Sequence, residues 1–370
     1  TDSPLTDGKT YYKFYIWIDG NNENNTTMQG KSLKGTLNVT VSTPPVNAVN
    51  LVEGLDKGET GDSGSGVYKV THDAIAAGSS ATGSTIPAVT DYRYYGASPN
   101  NYICLDMEGS STCPDKHLYR IIGSIYEEKE NTNRIKVIKA TPLTDGTTSK
   151  FSWDRKSSNR TYDNIWATIT SGNYSNSLTS GSQLMKLLNS GAWWNGISGS
   201  YYNGTNTTAT TVDFTNYKLS DKAKSYITTS RYYLGGYNNK PPLTNEMYGY
   251  ERGTLRYNTD RPLYWEGMVG LMYPSDYGYA AGNTCVTGTK LINYEGGCMN
   301  KDWLYILNTW QWLMSPNSGS NAGVLYVDHN GQVDINGSGG DIAASPVFYL
   351  TSTTIIDDGE GTLNNPYILK

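Results

Sequence analysis

The stretch GVLYVDHNGQVDIN, residues 323–336, carries a β-hairpin whose register its own side chains select. A three-residue loop of His329, Asn330 and Gly331, with Gly331 left-handed, closes with a bulge. It pairs Asp328 with Gln332, Val327 with Val333, Tyr326 with Asp334 and Leu325 with Ile335. Leu325, Val327, Val333 and Ile335 then share one face; Tyr326, Asp328, Gln332 and Asp334 share the other. A two-residue Asn-Gly loop would pair Asp328 with Val333 and mix the faces, so the pattern favours the longer loop.

Outward from this hairpin the chain is rich in β signals. Leu118–Tyr126 and Arg134–Ala140 flank the polar EEKENTN and read as a second hairpin. Further strands are expected at Val67–Val70, Pro346–Leu350 and Tyr367–Leu369, and a short buried run at Val269–Tyr273. Helices are expected over Val46–Leu55, over Ser182–Asn189 and over Asp221–Ile227, the last behind Ser220 as N-cap. Tyr11–Ile18 and Leu37–Val41 read as two strands, too few for a sheet of their own. These readings divide the chain into a β-strand segment over 1–43, a linker and irregular segment over 44–90, and a main domain over 91–370 with a loop-rich insert at about 150–260.

Composition narrows the function classes. Charged residues are only 17%, the net charge is −5 and no long basic run occurs, which argues against nucleic acid and against electrostatic membrane attachment. No stretch approaches the ~20 apolar residues of a spanning helix. The chain has 31 Tyr and 9 Trp against 4 Phe, a bias toward rings with a polar tip, which suit exposed recognition surfaces.

Cys104 and Cys113 enclose one short loop, and Cys285 and Cys298 another. Four cysteines allow three connectivities, of which the two local pairings are the economical ones. A zinc site would want CxxC spacing or nearby His ligands, and neither is present. Disulfides place the chain in an oxidising compartment, hence outside the cell, secreted or at the cell surface.

No catalytic signature emerges. GxSxG, HExxH, a P-loop and a strand-linked GxGxxG are all lacking, and His72, His117 and His329 sit in unrelated segments. Glu266 and Asp276 could be a hydrolytic carboxylate pair, but they flank a short run and structural roles suit them better. The expectation is a non-enzymatic chain with no cofactor and no metal.

Several motifs resemble secreted surface proteins of Gram-positive gut bacteria. They are YRYYGASPNNYICLD (92–106), CPDKHLYRIIGSIY (113–126), RIKVIKA (134–140), WEGMVGLMYPSDYGYAAG (265–282), GGCMNKDWLY (296–305), QWLMSPNS (311–318), SPVFYL (345–350) and GEGTLNNPYIL (359–369). Those proteins carry a C-terminal C-type-lectin-like domain, similar to the variable proteins of diversity-generating retroelements and more distantly to the formylglycine-generating-enzyme fold. The resemblance covers about 45–370. It implies an α+β, C-type-lectin-like domain with long loop insertions, preceded by the remnant of a β-sandwich over 1–43. It further implies that Trp312–Asn336 forms a displayed face. The candidate ligand contacts there are Trp312, Ser315, Asn317, Asn321, Tyr326, Asp328, Asn330, Gln332, Asp334 and Asn336. One departure is Ser345 before Pro346 and Val347, where the resembled proteins carry Arg. The implied partner is a protein or glycan at a cell surface. An alternative is a structural subunit of an extracellular fibre or surface layer, self-associating through the N-terminal strands, because an unpaired sheet edge invites completion.

Overall fold

The computed structural model describes residues 45–154, 182–202, 209–257, 259, 261–320 and 322–370. The strands expected over 1–43, and any self-association through them, lie outside the described residues.

The described chain is α+β. In order it runs β1 (Val46–Asn47), α1 (Ala48–Gly54), β2 (Gly66–His72), β3 (Val89–Tyr95), β4 (Tyr102–Cys104), β5 (Leu118–Glu127) and β6 (Thr132–Lys139). Then come α2 (Gln183–Asn189), α3 (Ala192–Asn195), β7 (Ser198–Tyr201), β8 (Thr210–Asp213), α4 (Asp221–Ser225), β9 (Ile227–Thr228), β10 (Ser230–Tyr233), α5 (Thr244–Glu251) and β11 (Tyr264–Gly267). The last part holds α6 (Pro274–Ala280), α7 (Asn283–Gly288), β12 (Gln311–Pro316), β13 (Gly323–Val327), β14 (Val333–Gly337), β15 (Val347–Leu350), β16 (Ile355–Asp358) and β17 (Tyr367–Leu369).

A ten-stranded sheet organises these elements, with the path β1-β16-β17-β4-β5-β6-β15-β9 and with β2 and β3 branching from it. The hub is β5. Its first residues pair with β4, while Gly123 and Ser124 pair with β3. The register shift between Ile121 and Gly123 allows the change of partner. The expected hairpin of β5 and β6 forms, with Glu127 opposite Thr132. The closing strand β17 runs parallel to β4, and β1 pairs with β16, so the two ends of the domain meet in one sheet.

Two sequence boundaries are corrected by this topology. Residues 46–90 are not a linker: α1 follows β1, and β2 pairs with β3 along all seven of its residues. Described residues of the segment read as a loop-rich insert also join the scaffold. Ser220 caps α4 as expected, accepting from the Ala223 amide, while Ser182, read as the first residue of its helix, is the N-cap of α2 and accepts from the Met185 amide. Strand β9 of this segment borders β15 in the main sheet. Low apolar periodicity hid this participation, because short strands carry little pattern.

One buried row fixes the sheet to its helical layer. Arg93 on β3 lies opposite Gly123 on β5, which lies opposite Lys136 on β6, which lies opposite Tyr349 on β15. Paired residues in antiparallel strands point to the same side. Gly123 therefore leaves a gap between two cations, and a Cβ there would lie 2.3 Å from the Tyr92 carbonyl oxygen. Both cations reach Asp276 in the first turn of α6, Arg93 Nη1 at 3.0 Å and Lys136 Nζ on the other oxygen. Asp276 also accepts the Tyr273 amide at 2.9 Å, so one carboxylate caps α6 and neutralises the row. Pro274 opens the helix here, a position where its missing N–H costs nothing.

The row continues into β2. Asp91 receives Arg93 at 2.7 Å, His72 Nε2 at 2.9 Å and the Tyr126 amide. All these side chains are buried. The cations and hydrogen bonds hold the Asp91 and Asp276 carboxyls below the usual range against the opposing effect of burial. Burial pushes His72 below its ordinary value of 6.5, and Arg93 and Arg252 add to this, while Asp91 opposes it. The ring stacks on Tyr248 with centroids 3.6 Å apart.

Two outcomes are expected. Asp276→Asn leaves Lys136 buried and without its carboxylate, and should cost about 3–5 kcal/mol in urea denaturation; a loss below about 1 kcal/mol would contradict the central role of this carboxylate. For His72, the unfolded chain takes up a proton below 6.5 while the folded chain resists it. The stability contributed by His72 is therefore complete above that pH and falls as pH drops toward the folded value. The melting temperature of the wild type minus that of His72→Gln should decrease on going from neutral to mildly acidic buffer. A constant difference would show that His72 does not titrate in this window.

Candidate functional site

The predicted hairpin forms in the expected register. Leu325 pairs with Ile335, Tyr326 with Asp334 and Val327 with Val333, and Gly331 has φ +81. The Asp328 amide donates to the Gln332 carbonyl at 2.8 Å, closing the bulged loop. Asp328 Oδ1 accepts the Asn330 and Gln332 amides at 2.8 and 2.9 Å. Tyr277 on α6 donates to the Gly331 carbonyl at 2.9 Å, anchoring the loop from below. The loop is thus held from within and from the helical layer.

The face expected to be open is covered along much of its length. Trp312, opposite Tyr326 on β12, is 1% exposed and donates its indole N–H to the Phe151 carbonyl at 2.7 Å. Trp153 meets it edge-on at 6.1 Å. The segment around Phe151 and Trp153 lies over this end of the sheet, held by Phe151 N–H to Ile342 O and Asp154 N–H to Ser338 O. Ser315 and Asn317 are also buried, and Asn317 uses its Oδ1 on the Gly319 amide and its carbonyl on Arg261. Trp312, Ser315 and Asn317 are therefore corrected: in this conformation they are core, not display. Asn321 lies outside the described residues.

The far end of the same face stays open. Asn330 is exposed, and Asp328, Gln332, Asp334 and Asn336 are half-buried. Gln332 Nε2 donates to Glu295 at 2.6 Å, and Asp334 Oδ1 accepts the Ile335 amide. Tyr326, also predicted as a contact, is corrected as well: at 9% exposed it is buried, its ring between Trp310 at 5.6 Å and Trp312 at 6.4 Å.

Residues outside the predicted set complete this open end. Trp310 is 41% exposed and Leu307 is 71% exposed, on the loop leading into β12. No other tryptophan among the described residues is exposed. Trp310 does not swing freely: its indole N–H donates to His329 Nδ1 at 2.9 Å, and Tyr305 donates to the His329 carbonyl at 2.6 Å. Trp310, Tyr305, Leu307 and His329 thus form a fixed aromatic and apolar patch beside a rim of amides and carboxylates. Spacing could not separate Trp310 from Trp312, because residues two apart in an extended chain share a face.

The remaining candidate clusters have structural explanations. The local disulfides Cys104–Cys113 and Cys285–Cys298 form as expected. Beside the first, Asp106, Glu108 and His117 bring ligand atoms within 4.8 Å of one another, the reach of a cation site. Lys116 already pairs with Glu108 at 2.8 Å, and Asp106 accepts the Ser220 hydroxyl at 2.6 Å, tying this loop to the N-cap of α4. Glu266 pairs with Arg231 at 2.9 Å, and Asp276 is committed to the buried row, so these two carboxylates have separate structural partners. Ser345 is buried and its hydroxyl donates to Gln311. No helix among the described residues is long and apolar enough to cross a membrane.

Comparison with known proteins returned no matching family model, curated protein or solved structure.

Burial separates the two tryptophans in a testable way. Trp312→Ala should cost about 3–5 kcal/mol, as for other fully buried indoles. Trp310→Ala should stay within about 1 kcal/mol of wild type, since much of its ring is already in water. Parallel denaturation curves decide this; comparable losses for both would show that Trp310 is part of the core.

Proposed function

We propose that this chain is an extracellular ligand-binding protein of the adhesion type, displaying a polar and aromatic face on a C-type-lectin-like scaffold. The observation that carries the reading is the exposed Trp310, held in place by His329 and flanked by Leu307. A large ring kept in one orientation at a surface loses little rotamer freedom when a ligand covers it. Asn330, Gln332, Asp334 and Asn336 beside it offer both donors and acceptors. Two disulfides support an oxidising, extracellular setting. A non-enzymatic role fits a site whose nearby carboxylates serve turns and rim contacts.

The proposal also keeps the resemblance to variable surface proteins, with one shift in the contact set. The centre moves from Trp312 to Trp310, and the hairpin contributes its tip and outer strand rather than its whole length. The partner is a glycan or protein presented at a cell surface.

Equilibrium binding to arrays of surface glycans and surface proteins tests this. A ligand found for the wild type should lose at least about tenfold affinity with Trp310→Ala and with Leu307→Ala, both folded by circular dichroism. Unchanged affinity in both variants would remove this face as the binding site.

A further inference from the structure

Carboxylates gather on the side of the three-stranded sheet that holds Trp310. Trp312 lies opposite Tyr326, and Tyr326 opposite Asp334. Trp310, two residues before Trp312, and Asp328, two residues beyond Tyr326, therefore share that side. The Trp310 and Tyr326 rings, 5.6 Å apart, agree with this placement. Glu295 joins from outside the sheet through its hydrogen bond with Gln332.

Among the described residues none of Glu295, Asp328 and Asp334 has an ion pair, whereas Glu108 meets Lys116 and Glu266 meets Arg231. Asp328 gives Oδ1 to the Asn330 and Gln332 amides, Asp334 gives Oδ1 to the Ile335 amide, and Glu295 gives Oε2 to Gln332. Each keeps its second oxygen without a partner among the described residues. Asp328 and Asp334 are diagonal neighbours across the ladder, where like charges repel. A cation bound between them would remove that repulsion.

Tyr326 adds an uncommitted group. Its ring is enclosed, but its hydroxyl keeps access to solvent and makes no hydrogen bond among the described residues. A phenol enclosed to this degree ordinarily finds a partner. Burial first, then the charges of Asp334 and Asp328, raise it above its ordinary value of 10.0, so it stays a neutral hydroxyl able to accept from a donor that the carboxylates attract.

Building on the proposed binding role of Trp310, on which this rests, we infer that the face docks an arginine of a basic segment in a protein partner, the guanidinium lying on the Trp310 ring with its N–H groups directed at Asp334. A guanidinium uses both halves of the face: its plane stacks on an indole, and its fork of donors matches a carboxylate. A neutral sugar ring would meet the indole and leave the carboxylates uncompensated, and an acidic ligand would be repelled. Charge complementarity therefore favours a basic protein segment over a glycan.

Fluorescence anisotropy with labelled peptides of alternating Gly-Arg, Gly-Lys and Gly-citrulline tests it, citrulline being the uncharged analogue of arginine. The arginine peptide should bind saturably with a Kd of about 10–500 μM in physiological salt. The lysine peptide should bind at least about threefold more weakly, because an ammonium has no plane to stack, and the citrulline peptide should not bind. Asp334→Asn keeps the oxygen that holds the Ile335 amide but removes the charge, and should weaken the arginine peptide at least about threefold. Trp310→Ala should weaken it to a similar degree. Glu360→Gln removes an equal charge from an exposed side chain in the turn between β16 and β17, and should leave affinity within about twofold of wild type. Binding of the citrulline peptide, a lysine peptide as tight as the arginine one, or an Asp334→Asn variant no weaker than Glu360→Gln would each overturn the assignment. So would the absence of arginine-peptide binding. A neutral array glycan lost with Trp310→Ala but kept with Asp334→Asn would overturn it as well, while leaving the binding role of Trp310 in place. Wild-type affinity of Trp310→Ala for every ligand would remove both.

Discussion

The fold depends on keeping the Asp276 carboxylate charged inside the protein. Arg93 and Lys136 come from strands separated in the sheet by β5, and only a residue without a side chain at position 123 lets them converge. Once converged they would repel each other without an anion between them. Asp276 supplies it, and because the same carboxylate holds the Tyr273 amide, neutralising the row also starts α6 at one point above the sheet. Sheet and helical layer are registered by charge and hydrogen-bond geometry, which tolerate less sliding than apolar contact does. Asp91 extends the constraint to His72 on β2, and Glu251 extends it to α5 through the Ser275 amide and hydroxyl. A buried ion cluster of this kind is weak evidence for net stability, since well-packed apolar residues can do as well. Its physical consequence is specificity: few other arrangements satisfy every member.

From that registration the open end of the three-stranded sheet follows. Tyr277 lies one residue beyond Asp276 on α6, and its hydroxyl reaches the Gly331 carbonyl in the hairpin loop. The helix placed by the buried row thereby places the loop. Gly331 is needed twice over, for its positive φ and because a Cβ would lie 2.6 Å from Met299. The loop in turn presents His329, which orients Trp310. A chain of contacts therefore runs from the sheet interior to an exposed indole, and the patch is as rigid as the core allows.

How much of this was legible beforehand depended on the range of the interaction. The hairpin over 323–336 was readable because register is a local property: alternation and one glycine choose the loop. The local disulfides and the serine cap of α4 were readable for the same reason. The buried row was not, because His72, Asp91, Arg93, Lys136 and Asp276 come from segments with nothing in common except their positions in the fold. Trp312 was misplaced on the display face because alternation says which residues share a side, and is silent on what covers that side. The cover is Phe151 and Trp153, about 160 residues away in sequence.

The same argument explains why exposure is informative here. Of the tryptophans among the described residues, Trp153, Trp193, Trp265, Trp303 and Trp312 are buried, and Trp194 is partly so. At 41% exposure the Trp310 ring leaves apolar area in water that burial would stabilise by roughly 25 cal/mol per Å². Instead the ring is bonded outward, its N–H engaged by His329 at the rim. An apolar group held in water by a specific hydrogen bond is the reverse of what folding alone selects, which is why the proposed binding face is centred on this residue and not on the hairpin's alternation.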